Sequence, residues 1–217
     1  MSLFDDIISP VIKEEDMTNV SKKIKEFIKH SFNNVRSTCR TIPMHNAILE
    51  EFLNNCPEYK DYEWEHEWIL KEDGIDGTFK IDIVGLKNGK PKVFLLCKSI
   101  NSSFAKNAKN YAVGMMGEMH RIMDSDIISP ELLLFVNIYP RFVPVFDGKG
   151  KVKHYDNVEK SKSRAKVAKI MKKYFKNKVF EVNISYDIED VYNKKCRDDF
   201  LDINPKNISK FEFGYED

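Results

Sequence analysis

The chain has 217 residues, 35 Lys and Arg against 34 Asp and Glu, a net charge of +1, and 42% hydrophobic residues. That is apolar material for one core, since a chain of this size buries about 70% of its unfolded surface, and a single domain over residues 1–217 is expected. The 15 Phe and 9 Tyr argue against a disordered chain, and 9 Gly and 8 Pro exclude a collagen-like or low-complexity one. No apolar run approaches the ~20 residues of a membrane span. The opening Met1-Ser2-Leu3-Phe4-Asp5-Asp6 carries acid where a signal peptide needs base, so a cytoplasmic location is expected. Cys39, Cys56, Cys97 and Cys196 form no CxxC pair, and buried free thiols are expected rather than a zinc site.

The predicted elements begin with a helix over Asn19 to Phe32, where Val20, Ile24, Phe27, Ile28 and Ser31 share one face. A second helix is expected from Pro43, a residue suited to a first helical turn, to about Asn54. Three extended runs follow. Tyr62 to Leu70 alternates, with Tyr62, Trp64, His66 and Trp68 on one side and Glu63, Glu65 and Glu67 on a solvated face. Phe79 to Leu86 is the second strand. Asn88-Gly89 marks a hairpin, and Val93 to Ile100 is a buried third strand. A long helix is expected over Phe104 to Met123, then a buried strand over Glu131 to Tyr139. Phe142 to Phe146 and Val152 to Tyr155 read as a hairpin. Beyond it, Ser161 to Phe175 reads as a basic helix, Val179 to Ser185 as a strand, Ile188 to Phe200 as a helix and Lys210 to Tyr215 as a last strand. Lys160 to Lys178 holds eight Lys and one Arg with no acid, a second candidate for binding phosphates.

Two strands carry one charge each among apolar neighbours. The second reads Phe79-Lys80-Ile81-Asp82-Ile83-Val84, and the third reads Phe94-Leu95-Leu96-Cys97-Lys98. A carboxylate in an apolar strand is costly unless it is paired or metal-bound. A hairpin joins the two strands, so Asp82 and Lys98 can meet, either as a buried ion pair or as a site. No glycine-rich phosphate loop, GxSxG elbow or HExxH spacing occurs.

The order helix, strand, strand, strand, helix, strand, with Asp on the second strand and Lys near the end of the third, resembles the PD-(D/E)XK nuclease core. The resemblance covers residues 43–140, with residues 141–217 as a hairpin, basic helix and C-terminal elaboration. It implies an α/β (α+β) fold, a restriction-endonuclease-like mixed sheet flanked by helices, with N- and C-terminal elaborations. The motif's acid two residues before the Lys is replaced by Leu96, which cannot bind a metal.

A substitute acid is sought first on the helix from Pro43. Glu51 lies beside the face formed by Met44, Ile48 and Phe52, and many members of the superfamily carry a metal-binding Glu on this helix; Glu50, on the polar side, is a fallback. Glu118, on the long helix, stands about 20 Å up it by rise alone, and an ion pair with Arg121 is the expected use for it. Asp76, in a turn, is a third candidate, and His45 could assist the metal site.

The resemblance thus implies Mg²⁺-dependent phosphodiester hydrolysis, with no organic cofactor and no membrane. Asp82, Glu51 and the backbone carbonyl of Cys97 would hold Mg²⁺, and Lys98 would orient the attacking water. Ser99, Asn101, Ser102, Ser103, Lys106, Asn107 and Lys109, which follow the Lys, would contact DNA. The expected protein is a type II restriction enzyme acting on double-stranded DNA as a homodimer. Alternatives are another nuclease of this core, for repair, junctions or RNA, or an inactive nucleic-acid-binding protein of the same fold.

Overall fold

A computed structural model describes residues 19–33, 38–70, 79–125, 128–160 and 179–211. Asp76, the basic stretch 161–178 and most of the expected last strand lie outside them. Within them are three helices, α1 (Asn19–Lys29), α2 (Thr38–Asn55) and α3 (Phe104–Met123). The strands are β1 (Glu63–Leu70), β2 (Phe79–Lys87), β3 (Lys90–Ser99), β4 (Leu132–Pro140), β5 (Phe142–Phe146), β6 (Val152–Asn157), β7 (Val179–Ile188) and β8 (Pro205–Lys206).

The fold is α+β, built on a mixed six-stranded sheet in the order β1-β2-β3-β4-β7-β8. β1, β2 and β3 form an antiparallel meander, whereas β4 and β7 run parallel to β3. β5 and β6 make a separate hairpin. β4 lies between two parallel neighbours and every one of its residues is buried. That is why its sequence is an apolar run rather than an alternating one.

Helices cover both faces of the sheet. On one, Ile28 of α1 and Ile48 and Phe52 of α2 pack with Ile83, Leu95, Leu134 and Val182. On the other, Met115, Met119 and Ile122 of α3 pack with Ile81, Phe94, Leu96 and Phe135. The stripe read along the long helix accounts for this, and its predicted ends coincide with those of α3.

Two expectations are corrected. α2 begins at Thr38 rather than Pro43, so Pro43 sits inside it, where its missing N–H falls close to the unsatisfied first turn. No helix spans Ile188 to Phe200. β7 runs on to Ile188, and two 3-10 turns follow, Val191–Asn193 and Arg197–Phe200. Asp190 is left-handed at φ 51°, and the Asp199 carboxylate accepts the backbone N–H of Lys195 and Cys196 at 2.6 and 2.9 Å. Such local side-chain bonds compete with a helix ladder.

Gly85 of β2 lies opposite Trp64 of β1, and a Cβ added there would stand 2.8 Å from the indole. The indole cannot swing away freely, because its edge meets the Phe52 ring and its N–H donates to the Tyr59 carbonyl at 3.3 Å. Gly85→Ala should therefore destabilise the protein by about 1–3 kcal/mol, the usual cost of overpacking. A urea unfolding curve with an unchanged midpoint would contradict this packing.

Candidate functional site

The site forms where β1 and β2 change faces together. Trp64 and Ile83 belong to the core under α2, whereas Trp68 and Ile81 belong to the core under α3. Pairing runs to His66↔Ile83 and resumes at Trp68↔Ile81, which leaves Glu67 and Asp82 at the break. Glu67 has φ 52°, a costly conformation for a residue with a Cβ. Backbone strain of this kind gathers at functional sites.

Asp82 is thereby turned toward the parting of β2 and β3. Their register ends at the pair Ile83↔Leu95. Beyond it the backbone N–H of Cys97 donates to Asp82 Oδ2 at 2.7 Å. Burial nonetheless holds the Asp82 carboxyl above its ordinary range, opposed by the Cys97 N–H and the Lys98 charge.

His45, on α2, is 1% exposed. Its Nε2 lies 3.8 Å from Asp82 Oδ1 and its Nδ1 lies 3.8 Å from Glu67 Oε1, both beyond hydrogen-bonding distance. Nδ1 has no hydrogen-bond partner. Burial pushes the imidazole down to about 4, with the Glu67 charge opposing. The ring is therefore neutral at pH 7 and can offer a lone pair.

Ligand-capable atoms of His45, Asp82 and Cys97 all lie within 4.8 Å of one another, so three separate elements assemble a set that could hold a metal ion. No CxxC spacing marks this set, because its members are brought together only by the sheet. Cys97 is a buried free thiol, as expected, and burial holds it well above its ordinary value.

Lys98 points to the α3 side of the sheet. Its Nζ donates to Glu118 Oε1 at 2.8 Å. Burial opposes the charge on Lys98, but Glu118 and then Asp82 outweigh it and raise its pKa. Glu118 is thus the acid at Lys98, not a partner for Arg121, whose guanidinium lies 4.6 Å from the centre of the Phe79 ring. Rise along α3 measures distance from its own start. The helix folds back over the face of β3 that carries Leu96 and Lys98, so its later turns reach the lysine.

Glu51 is held differently. It is six residues beyond His45 on α2, about 9 Å along the axis and on another side of the helix. It is not among the gathered ligand atoms. Its Oε1 accepts from Asn55 at 3.3 Å, its Oε2 is buried without a partner, and burial raises its carboxyl above the ordinary value. Glu50 pairs with Lys23 of α1. A carboxyl raised on folding binds protons more tightly in the folded state. Stability then falls as pH climbs from the unfolded value through the folded one. Glu51→Gln should therefore raise the unfolding midpoint at pH 7, by an amount that vanishes near pH 3, and leave the chemistry at Asp82 intact. A drop in stability at pH 7 would contradict that placement.

The residues after Lys98 divide into two groups. Asn101 is buried, and its amide donates to the Ser31 carbonyl at 2.5 Å while its Oδ1 accepts from Ser99 at 3.1 Å. Ser103 is the left-handed residue before α3, and its N–H donates to the Pro144 carbonyl. Ser102 and Asn107 are half-buried, whereas Lys106 and Lys109 are exposed on α3.

A polar row absent from the sequence reading extends the site along the sheet. Lys98 of β3 stands beside Asn137 of β4, which stands beside Asn183 of β7. Asn137 Nδ2 donates to Glu181 Oε1 at 2.9 Å and to Asn183 Oδ1 at 3.3 Å. The signal was Asn137 itself, the lone polar side chain in Leu132-Leu133-Leu134-Phe135-Val136-Asn137-Ile138. Among the described residues no helix is long and apolar enough to cross a membrane. Comparison with models of protein families finds no match, and comparison with curated proteins finds none either.

Proposed function

We propose that the chain is a divalent-metal-dependent nuclease of the PD-(D/E)XK type, an endonuclease acting on double-stranded DNA. The observation that carries this reading is the gathering of His45, Asp82 and Cys97 ligand atoms within 4.8 Å of one another, with Lys98 next along β3 and its ammonium held by Glu118 at 2.8 Å. The order α2-β1-β2-β3-α3-β4, with three antiparallel strands and a fourth parallel to the third, supports it.

The donors fit a divalent cation. Asp82 offers a carboxylate, which suffices for Mg²⁺ when waters complete its shell. The neutral imidazole of His45 beside it extends the range to transition metals. Glu67, 3.8 Å from the other ring nitrogen, places a negative charge beside it. A cation bound there would lower the pKa of a water and offset charge on the phosphate oxygens.

The chain's own groups divide the remaining work. Asp82 is held in place by the Cys97 N–H, with His45 3.8 Å away and Glu67 3.8 Å beyond the imidazole. Lys98 is kept cationic by Glu118 and Asp82, so it can hold a nonbridging phosphate oxygen and orient the attacking water. Glu118 restrains the ammonium so that it reaches the phosphate in one orientation. Lys106 and Lys109 are available to the phosphate backbone. A two-fold duplex site would be read by a homodimer, each copy cutting one strand.

The test is incubation of the full chain with long duplex DNA, single-stranded DNA and RNA, each with Mg²⁺, Mn²⁺ or EDTA. Discrete duplex fragments that require metal are expected. Cleavage of RNA alone would move the reading to a ribonuclease of the same core. No cleavage of any substrate would leave a nucleic-acid-binding protein and overturn the enzyme.

A further inference from the structure

Between α3 and the face of the parallel strands β3, β4 and β7 lies a cleft open to solvent. Lys98 lines it at one margin, Asn137, Asn183 and Glu181 line its floor, and Phe104 and Tyr111 line the α3 side. We propose that this cleft receives one unstacked nucleobase of the substrate strand, one bearing an exocyclic amino group. The proposal rests on the nuclease reading and names what sits next to the phosphate at Lys98.

Three features lead there. The first is position. The cleft shares Lys98 with the candidate centre. A base there would hang from a nucleotide whose phosphate lies at the ammonium.

The second is the wall. Ala108, Ala112 and Met115 make it apolar and shallow, while the Phe104 and Tyr111 rings stack on each other with centroids 6.3 Å apart. A flat aromatic surface suits a base face, which stacks on it with little regard to sequence. A phosphate would gain nothing from it.

The third is the floor. Asn137 is 5% exposed, in a strand otherwise wholly apolar at its level, and burying a carboxamide is costly unless its groups are engaged. Asn137 ties Glu181 and Asn183 into one array, so two carboxamides and a carboxylate face the same space. A carboxylate accepts from an amino group such as cytosine N4, and a carboxamide matches a base edge that both donates and accepts. The array recognises an edge with an amino donor and disfavours thymine, which has none. Bases enter such pockets when they are unpaired or drawn out of the stack, at a cost of a few kcal/mol.

The experiment is calorimetric titration of the full chain in EDTA with dAMP, dCMP, dGMP and dTMP, which reads base binding without cleavage. At least one amino-bearing nucleotide should bind tenfold or more tighter than dTMP. Glu181→Gln should erase that preference, and Tyr111→Ala should weaken every nucleotide at least fivefold. If Glu181→Gln unfolds, Asn183→Ala serves in its place. Equal binding of all four, or binding of none, overturns the proposal. Metal-dependent DNA cleavage that persists with either result keeps the nuclease reading, so the two can fail separately. Base-selective binding by a chain that cleaves nothing would keep the cleft and sink the enzyme.

Discussion

Asp82→Asn should abolish cleavage while leaving the fold intact. A metal ion contributes several kcal/mol to the transition state, and each 1.4 kcal/mol or so is tenfold in rate. A loss of about a thousandfold or more is therefore expected. Asn keeps an oxygen for the Cys97 N–H, which now donates at 2.7 Å. It also removes a charge that burial opposes, since the folded carboxyl lies above its ordinary range. The metal-free variant should then be at least as stable as the wild type at pH 7. Were the residue only half of a structural ion pair with Lys98, removing its charge would cost stability instead. Thermal unfolding in EDTA, set beside single-turnover cleavage, separates the two. An unfolded or still active variant contradicts the assignment.

The second large effect is at Lys98. Lys98→Met should slow cleavage by about 10²–10³-fold, the loss typical of removing one group that stabilises developing charge. It should also cost about 1–3 kcal/mol, because Glu118 loses the donor of a charge-assisted bond. Part of Glu118 is already unsatisfied, since its Oε2 is buried without a partner. Adding Glu118→Gln to Lys98→Met should recover most of the stability and none of the activity. Chemical denaturation of the single and double variants checks this. A double variant that regains cleavage would remove Lys98 from the chemistry.

How far the sequence foretold this arrangement differs residue by residue. Asp82 and Lys98 stood out because a charge inside an apolar strand demands a partner, and a hairpin brought their strands together. α3 was legible to its ends because a long stripe at helical spacing depends only on local periodicity. β4 was legible because its burial on both faces removes every polar residue but one.

What was missed depends on contacts distant in sequence. Glu118 was assigned to Arg121 on local spacing, yet the nearest cation in space is Lys98. His45 shares the buried side of α2, and only the sheet behind it gives that position chemical meaning. Glu67 read as one of three solvated glutamates, since strict alternation holds until the backbone turns at φ 52° and both strands change faces. The helix expected over Ile188 to Phe200 failed because Asp199 offers its backbone neighbours a closer acceptor than a helix would.

The central claim is that Asp82 and Lys98 act as one centre. The most direct measurement is single-turnover cleavage of one end-labelled duplex by the wild type, Asp82→Asn, Lys98→Met and the double variant, in saturating Mg²⁺. Groups that work as a unit are strongly non-additive. The double variant should be no slower than the slower single variant. Losses that multiply, or a single variant that cleaves at the wild-type rate, would contradict the account.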